Sequence, residues 1–165
     1  MKKLTKMLVV LAVLLDASAL CYATTESVQD ITAILISIKV EDKPSLFILL
    51  AGDGTINRMG TGTRNNTERN LYIALTKEKY FEKLRSAVRP VWLEHQGVYD
   101  VPEKQGKLTE LAILFAYKDG AEGGLTFLYG STSQGPPADI CDFITLAVNL
   151  TEPWYQEWKS RAKSH

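Results

Sequence analysis

The stretch Leu108-Thr109-Glu110-Leu111-Ala112-Ile113-Leu114-Phe115-Ala116-Tyr117, followed by Lys118-Asp119-Gly120 and then by Leu125-Thr126-Phe127-Leu128-Tyr129, is the clearest hairpin of the chain. Two apolar runs flank a turn in which Asp-Gly readily supplies the positive φ angles of a tight reversal, and Gly123-Gly124 adds slack beside it. A shorter echo lies upstream, where Leu46 to Ala51 runs into Gly52-Asp53-Gly54 and Thr55 to Met59 returns. Each hairpin is later followed by an amphipathic segment. Two halves of the form strand, strand, helix would pair naturally in one sheet.

Working outward, Ile34, Ile36, Ile38 and Val40 alternate with Leu35, Ser37 and Lys39, the period of a strand with one buried face. Glu41-Asp42-Lys43-Pro44 turns it into the strand that begins at Leu46. Gly60 to Arg69 is polar and reads as an exposed loop, and Leu71 to Leu75 as a short strand. Thr76 is placed to cap a helix over Lys77 to Val88, with Tyr80, Phe81, Leu84, Ala87 and Val88 at helical spacing, and Pro90 ends it. A Trp92-Leu93 anchor then opens a long loop through His95, Gly97, Tyr99 and Pro102. Pro136-Pro137 suits the start of a helix reaching about Asn149, and a last amphipathic helix from about Pro153 carries Trp154, Tyr155 and Trp158, read as core packing.

Strands joined by tight hairpins make an antiparallel sheet, and helices with one apolar face must cover it. The expected fold is therefore α+β: a two-layer sandwich with a mainly antiparallel sheet of about five to six strands, covered by about two to three helices. One domain is expected, over 24–165.

The first 23 residues read as an address. Lys2, Lys3 and Lys6 precede an uninterrupted apolar run from Met7 to Leu15, which has the length of a secretory core and is too short for a membrane span. Small residues place cleavage after Ala23, with Ala19 as the alternative. The protein is expected to be periplasmic or secreted, with no transmembrane segment once the leader is gone. Cleavage after Ala23 leaves Cys141 without a partner in its own chain, an inert core thiol in the apolar run from Ile140 to Ile144; cleavage after Ala19 would permit a Cys21–Cys141 disulfide. The leader takes away three Lys and one Asp from a chain with 19 basic and 19 acidic residues. What remains is close to neutral, and nothing in it calls for nucleic acid.

The segment Ala51-Gly52-Asp53-Gly54-Thr55-Ile56-Asn57 resembles the Gly-Gly-Asp-Gly-Thr motif of the diacylglycerol kinase and NAD kinase superfamily. In that family a Gly-rich turn after a strand lets backbone N–H groups approach phosphate, and the resemblance implies a nucleotide site at Asp53. Ala51 stands where the family has its first Gly, and a helix should follow Thr55. A hairpin turn explains the same residues and is preferred.

Ser131-Thr132-Ser133-Gln134-Gly135 lies between a strand and a helix, as a hydrolase nucleophile elbow would, with Ser133 as nucleophile and His95 as the base available to it. The simpler expectation is a polar loop capping the helix. His95 and His165 share no ligand spacing with each other or with Cys141, so neither metal nor cofactor is expected. The chain shows no compact set of nucleophile, base and orienting group, which favours binding over catalysis, with a protein or small-molecule partner in the cell envelope. The loop from Gly52 to Arg69 is the first place to seek the binding residues. There Asp53, Asn57, Arg58, Arg64 and Asn66 could present hydrogen-bonding groups at a sheet end.

Overall fold

The computed structural model describes residues 26–63 and 69–163; the leader with Cys21, and Arg64 and Asn66 of the candidate loop, lie outside them. The fold is α+β, with a single seven-stranded sheet and three helices. The strands are β1 (Ile31–Val40), β2 (Lys43–Ala51), β3 (Thr55–Gly60), β4 (Tyr72–Leu75), β5 (Gly97–Asp100), β6 (Leu108–Tyr117) and β7 (Glu122–Gly130). The helices are α1 (Tyr80–Arg85), α2 (Pro90–Glu94) and α3 (Ala138–Lys163). In space the strands lie in the order β4-β3-β2-β1-β6-β7-β5.

Both hairpins form where Asp-Gly places them. In the first, Gly54 adopts φ +92°, and the Asp53 carboxylate accepts the Thr55 N–H at 2.8 Å, a local bond that reverses the chain. In the second, the Asp119 carboxylate accepts the Ala121 N–H at 2.9 Å. Between β1 and β2, Glu41 and Asp42 both take positive φ, the conformation a two-residue hairpin demands. The long central pairing of β1 with β6 joins the two halves, with Ile36 opposite Ile113.

Alternation along each strand sends one set of side chains toward the helices. Ile34, Ile36, Ile48, Leu50, Ile113 and Phe115 are all buried on that side, and Leu84, Trp92, Phe143 and Tyr155 close over them. Each such apolar side chain contributes about 1.5–3 kcal/mol when removed from water. Leu35, Phe47, Leu49 and Leu114 point to the opposite side.

Four sequence expectations need correction; first, the helix expected over Lys77 to Val88 with Thr76 as its cap is the six-residue α1, Tyr80–Arg85, with Lys79 at its N-cap. The sheet has seven strands and is mixed, because β5 adds to the edge in parallel with β7, Tyr99 lying opposite Phe127. The sequence reads as loop over β5: the strand is four residues long, and its partner lies across a distant hairpin, so no local pattern marks it. Pro90 starts a helix rather than only ending one, standing in the first turn of α2, where its missing N–H costs nothing. The two expected C-terminal helices are one, α3, with Pro153 inside it. An interior proline costs about 3 kcal/mol, and contacts on both sides of Pro153 hold the helix together. Thr151 and Glu152 before it, and Tyr155 after it, all engage Arg58. Trp154 and Tyr155 are buried, as core packing requires.

Candidate functional site

Of the five residues expected to share a binding loop, Arg64 and Asn66 lie outside the described residues, and Asp53, Asn57 and Arg58 are not brought together. Asp53 sits in the hairpin turn at the edge of a small hollow of about 240 Å³ shared with Thr76 to Glu82. Its carboxyl is held below the usual aspartate range by the Thr55 backbone N–H it accepts. Asn57 and Arg58 are neighbours in β3 and so point to opposite faces of the sheet. The side-chain oxygen of Asn57 is buried without a hydrogen-bond partner.

Arg58 does not offer donors to solvent. It is fully buried on the helix side, between Ile56 and Gly60. Nε donates to Thr151 Oγ1 at 3.2 Å, one terminal nitrogen donates to the Met59 carbonyl at 3.1 Å and to that of Gly60, and the other lies 3.5 Å from the Glu152 carboxylate. The Tyr155 ring faces the guanidinium at 4.8 Å, and its hydroxyl accepts the Gly60 N–H at 3.0 Å. These bonds tie β3 to α3, a structural task.

Ser133 and His95 are engaged separately. Ser133 Oγ accepts the Gly130 N–H at 2.8 Å and donates to the Gly130 carbonyl at 2.9 Å, closing the turn after β7. His95 Nδ1 lies 3.0 Å from the Val91 carbonyl, and because a carbonyl only accepts, Nδ1 carries the proton there. No hydrogen bond joins the two side chains. A strand, β3, follows Thr55 where the nucleotide motif requires a helix. Cys141, expected in the core, is exposed on α3, since the helix turns Ile140, Phe143 and Ile144 inward instead.

The structure gathers a different set of residues at the other edge of the sheet. Between α2, β5, β7 and the segment entering α3 opens a cleft of about 740 Å³. Its lining includes Trp92, His95, Tyr99, Phe127, Gln134 and Asp139. Tyr99 stacks on Phe127 with ring centroids 5.1 Å apart, a contact made possible by the parallel register of β5 on β7. The Tyr99 hydroxyl donates to the His95 carbonyl, which fixes the end of α2 against the strand. Trp92 packs edge-on against Phe143 at 5.1 Å and donates its indole N–H to the Asp139 carboxylate at 3.1 Å.

Asp139 also binds Arg89 at 2.7 Å. Burial pushes its carboxyl upward, but the bonds from Arg89 and Trp92 outweigh that and hold it below the usual aspartate range. The cleft therefore has an aromatic floor, a fixed carboxylate already partnered, and His95, whose Nε2 is left as an acceptor when the ring is neutral. Of the floor, Trp92 and Phe127 are buried and Tyr99 is 41% exposed, with Val91 at the wall 44% exposed, so a ligand would meet the Tyr99 ring first. Among the described residues no group of three His, Cys, Asp or Glu side chains is placed to hold a metal ion, and no helix is long and apolar enough to cross a membrane.

The sequence marks Trp92, His95 and Tyr99 but places them in a loop. Helix α2 and strand β5 give them their common direction. Comparison with known protein families, with curated proteins and with solved structures finds no match for this chain.

Proposed function

We propose that this is an exported binding protein, working in the periplasm or outside the cell, that holds a small apolar ligand with a ring and one hydrogen-bond donor in the cleft beside β5. The single observation that carries the reading is the cleft itself: about 740 Å³, floored by Trp92, Tyr99 and Phe127, with His95 and Gln134 at its wall. Ligand sites are commonly concave and mostly apolar, with a few placed polar groups that fix orientation. Export is supported by the basic, apolar and small-residue pattern of residues 1–23. Binding without catalysis is supported by the engagement of Ser133 in its own turn.

Indole and benzamide serve as probes, because each joins a flat apolar ring to an N–H donor. Titrated into ¹⁵N-labelled protein, they should move the Trp92 indole N–H and the Gln134 side-chain amide saturably. Tyr99→Ala should weaken that response by about tenfold, the loss expected when about 1.4 kcal/mol of stacking is removed. Unmoved cleft signals at saturating probe, or shifts confined to other surfaces, would discard the cleft.

A further inference from the structure

We infer that the face of the sheet turned away from the helices is a docking surface for a second copy of this chain, stacked face to face about a two-fold axis lying along the strands between β1 and β2. This surface is separate from the cleft, so either can fail alone.

Among the described residues no helix covers this face, yet its middle is apolar. One row across the strands reads Ile73, Asn57, Leu49, Leu35, Leu114 and Gly124, each residue opposite the next. The adjoining row reads Met59, Phe47, Ser37, Ala112 and Thr126. Ile73 is 61% exposed and Leu114 42% exposed, large values for apolar residues in strands. Lys39 and Glu110, toward one end, already pair with each other at 2.8 Å, which leaves a charged partner little to answer there.

The rows are self-complementary. A two-fold axis along the strands reverses their order while keeping each row in place, so β2 lies over β1 of the copy, β3 over β6 and β4 over β7. Phe47 then falls over Ser37, Met59 over Ala112 and Ile73 over Gly124, each large side chain over a small one. Leu49 meets Leu35, and Asn57 covers Leu114. Gly124 lines a hollow of about 400 Å³ in this face together with Ala33, Leu35, Leu49 and Leu114, and Ile73 of the copy is positioned to enter it. Only glycine suits that position, since a Cβ there would lie 2.1 Å from the Ile113 carbonyl oxygen.

The area is sufficient. Six strands at about 4.8 Å spacing and three rows at about 6.8 Å, the third running through Ala51, Ala33, Ala116 and Glu122 beside the Leu35 row, give about 600 Å² on each copy, about 1,200 Å² for the pair, the lower bound for a stable interface. Stacked sheets at about 10 Å separation keep their strands within about 30° of parallel, which preserves the central pairs.

Sedimentation equilibrium of the full chain, purified as the cell delivers it, should give a dimer at about 10–100 μM. Ile73→Lys and Leu114→Lys should each weaken the dimer by about a hundredfold or more, because each sets a charge in an apolar contact. Val98→Lys is the control: Val98 is 68% exposed on the same face, but on β5, outside the overlapped strands, and its change should leave the dimer intact. Unchanged circular dichroism spectra will show that the lysine variants fold. In mixed-label samples, intermolecular NOEs should join Leu35 to Leu49 methyls. A monomer at all concentrations, dimerisation insensitive to Ile73→Lys, equal loss with Val98→Lys, or contacts from those methyls to lipid or to another segment of the same chain would each overturn the inference.

Discussion

The two faces of the sheet are cut from the same strands, and residue by residue they differ by a single step along the chain. Ile36 is completely buried under the helices, while Leu35, its neighbour, looks the other way. The helix face holds a dense apolar core and a fully buried charge, Arg58, whose bonds to Thr151, Glu152 and Tyr155 anchor α3. The open face holds apolar residues with no helix upon them among the described residues. The first face is where stability resides; the second is available for association.

The largest test of that contrast is Arg58→Ala. It leaves Thr151 Oγ1 and the Gly60 carbonyl without their buried donor, and it should cost about 3–5 kcal/mol in chemical denaturation. A loss below about 1 kcal/mol would mean that β3 does not depend on α3. Next comes the pair Ile36→Ala and Leu35→Ala, measured at a concentration low enough for monomers. Ile36→Ala should cost about 2–5 kcal/mol, and Leu35→Ala less than half as much. Equal losses would show that something covers the open face in the monomer too.

Asp139 gives a smaller, pH-dependent effect. Its folded carboxyl titrates below the ordinary aspartate value of 3.8, so its bonds to Arg89 and Trp92 contribute fully above that pH and are lost as the pH falls through the folded value. Asp139→Asn should therefore reduce stability at neutral pH while flattening the decline below pH 3.8, as read from thermal unfolding across that range. An unchanged acid limb would detach Asp139 from the fixing of Trp92. Smallest of all, the exposed Cys141 should react with a thiol reagent in the folded state at close to the rate of a free cysteine, with no effect on unfolding. Reaction only in denaturant would return it to the core.

Much of this was legible in the chain because its signals are local. Asp53-Gly54 and Asp119-Gly120 turn the strands where their backbone freedom requires, and the alternation of Ile34, Ile36 and Ile38 marks β1. What escaped depends on partners far away in sequence. β5 exists because β7 offers a parallel edge, and α3 passes through Pro153 while Arg58, 93 residues from Thr151, ties down both sides of the break. Arg58 itself reads as a surface donor beside Asn57, since a charged residue in a polar neighbourhood gives no sign of which face it will take. The aromatic cleft is hidden for a related reason: Trp92, Tyr99 and Phe127 belong to three elements, one of which reads as loop in sequence.

Native mass spectrometry of the protein taken from its own cells addresses export and binding in one spectrum. The expected mass is that of a chain lacking residues 1–23, carrying a small organic molecule that is absent from the Tyr99→Ala variant. A chain retaining Met1, with no bound molecule in either form, would contradict both.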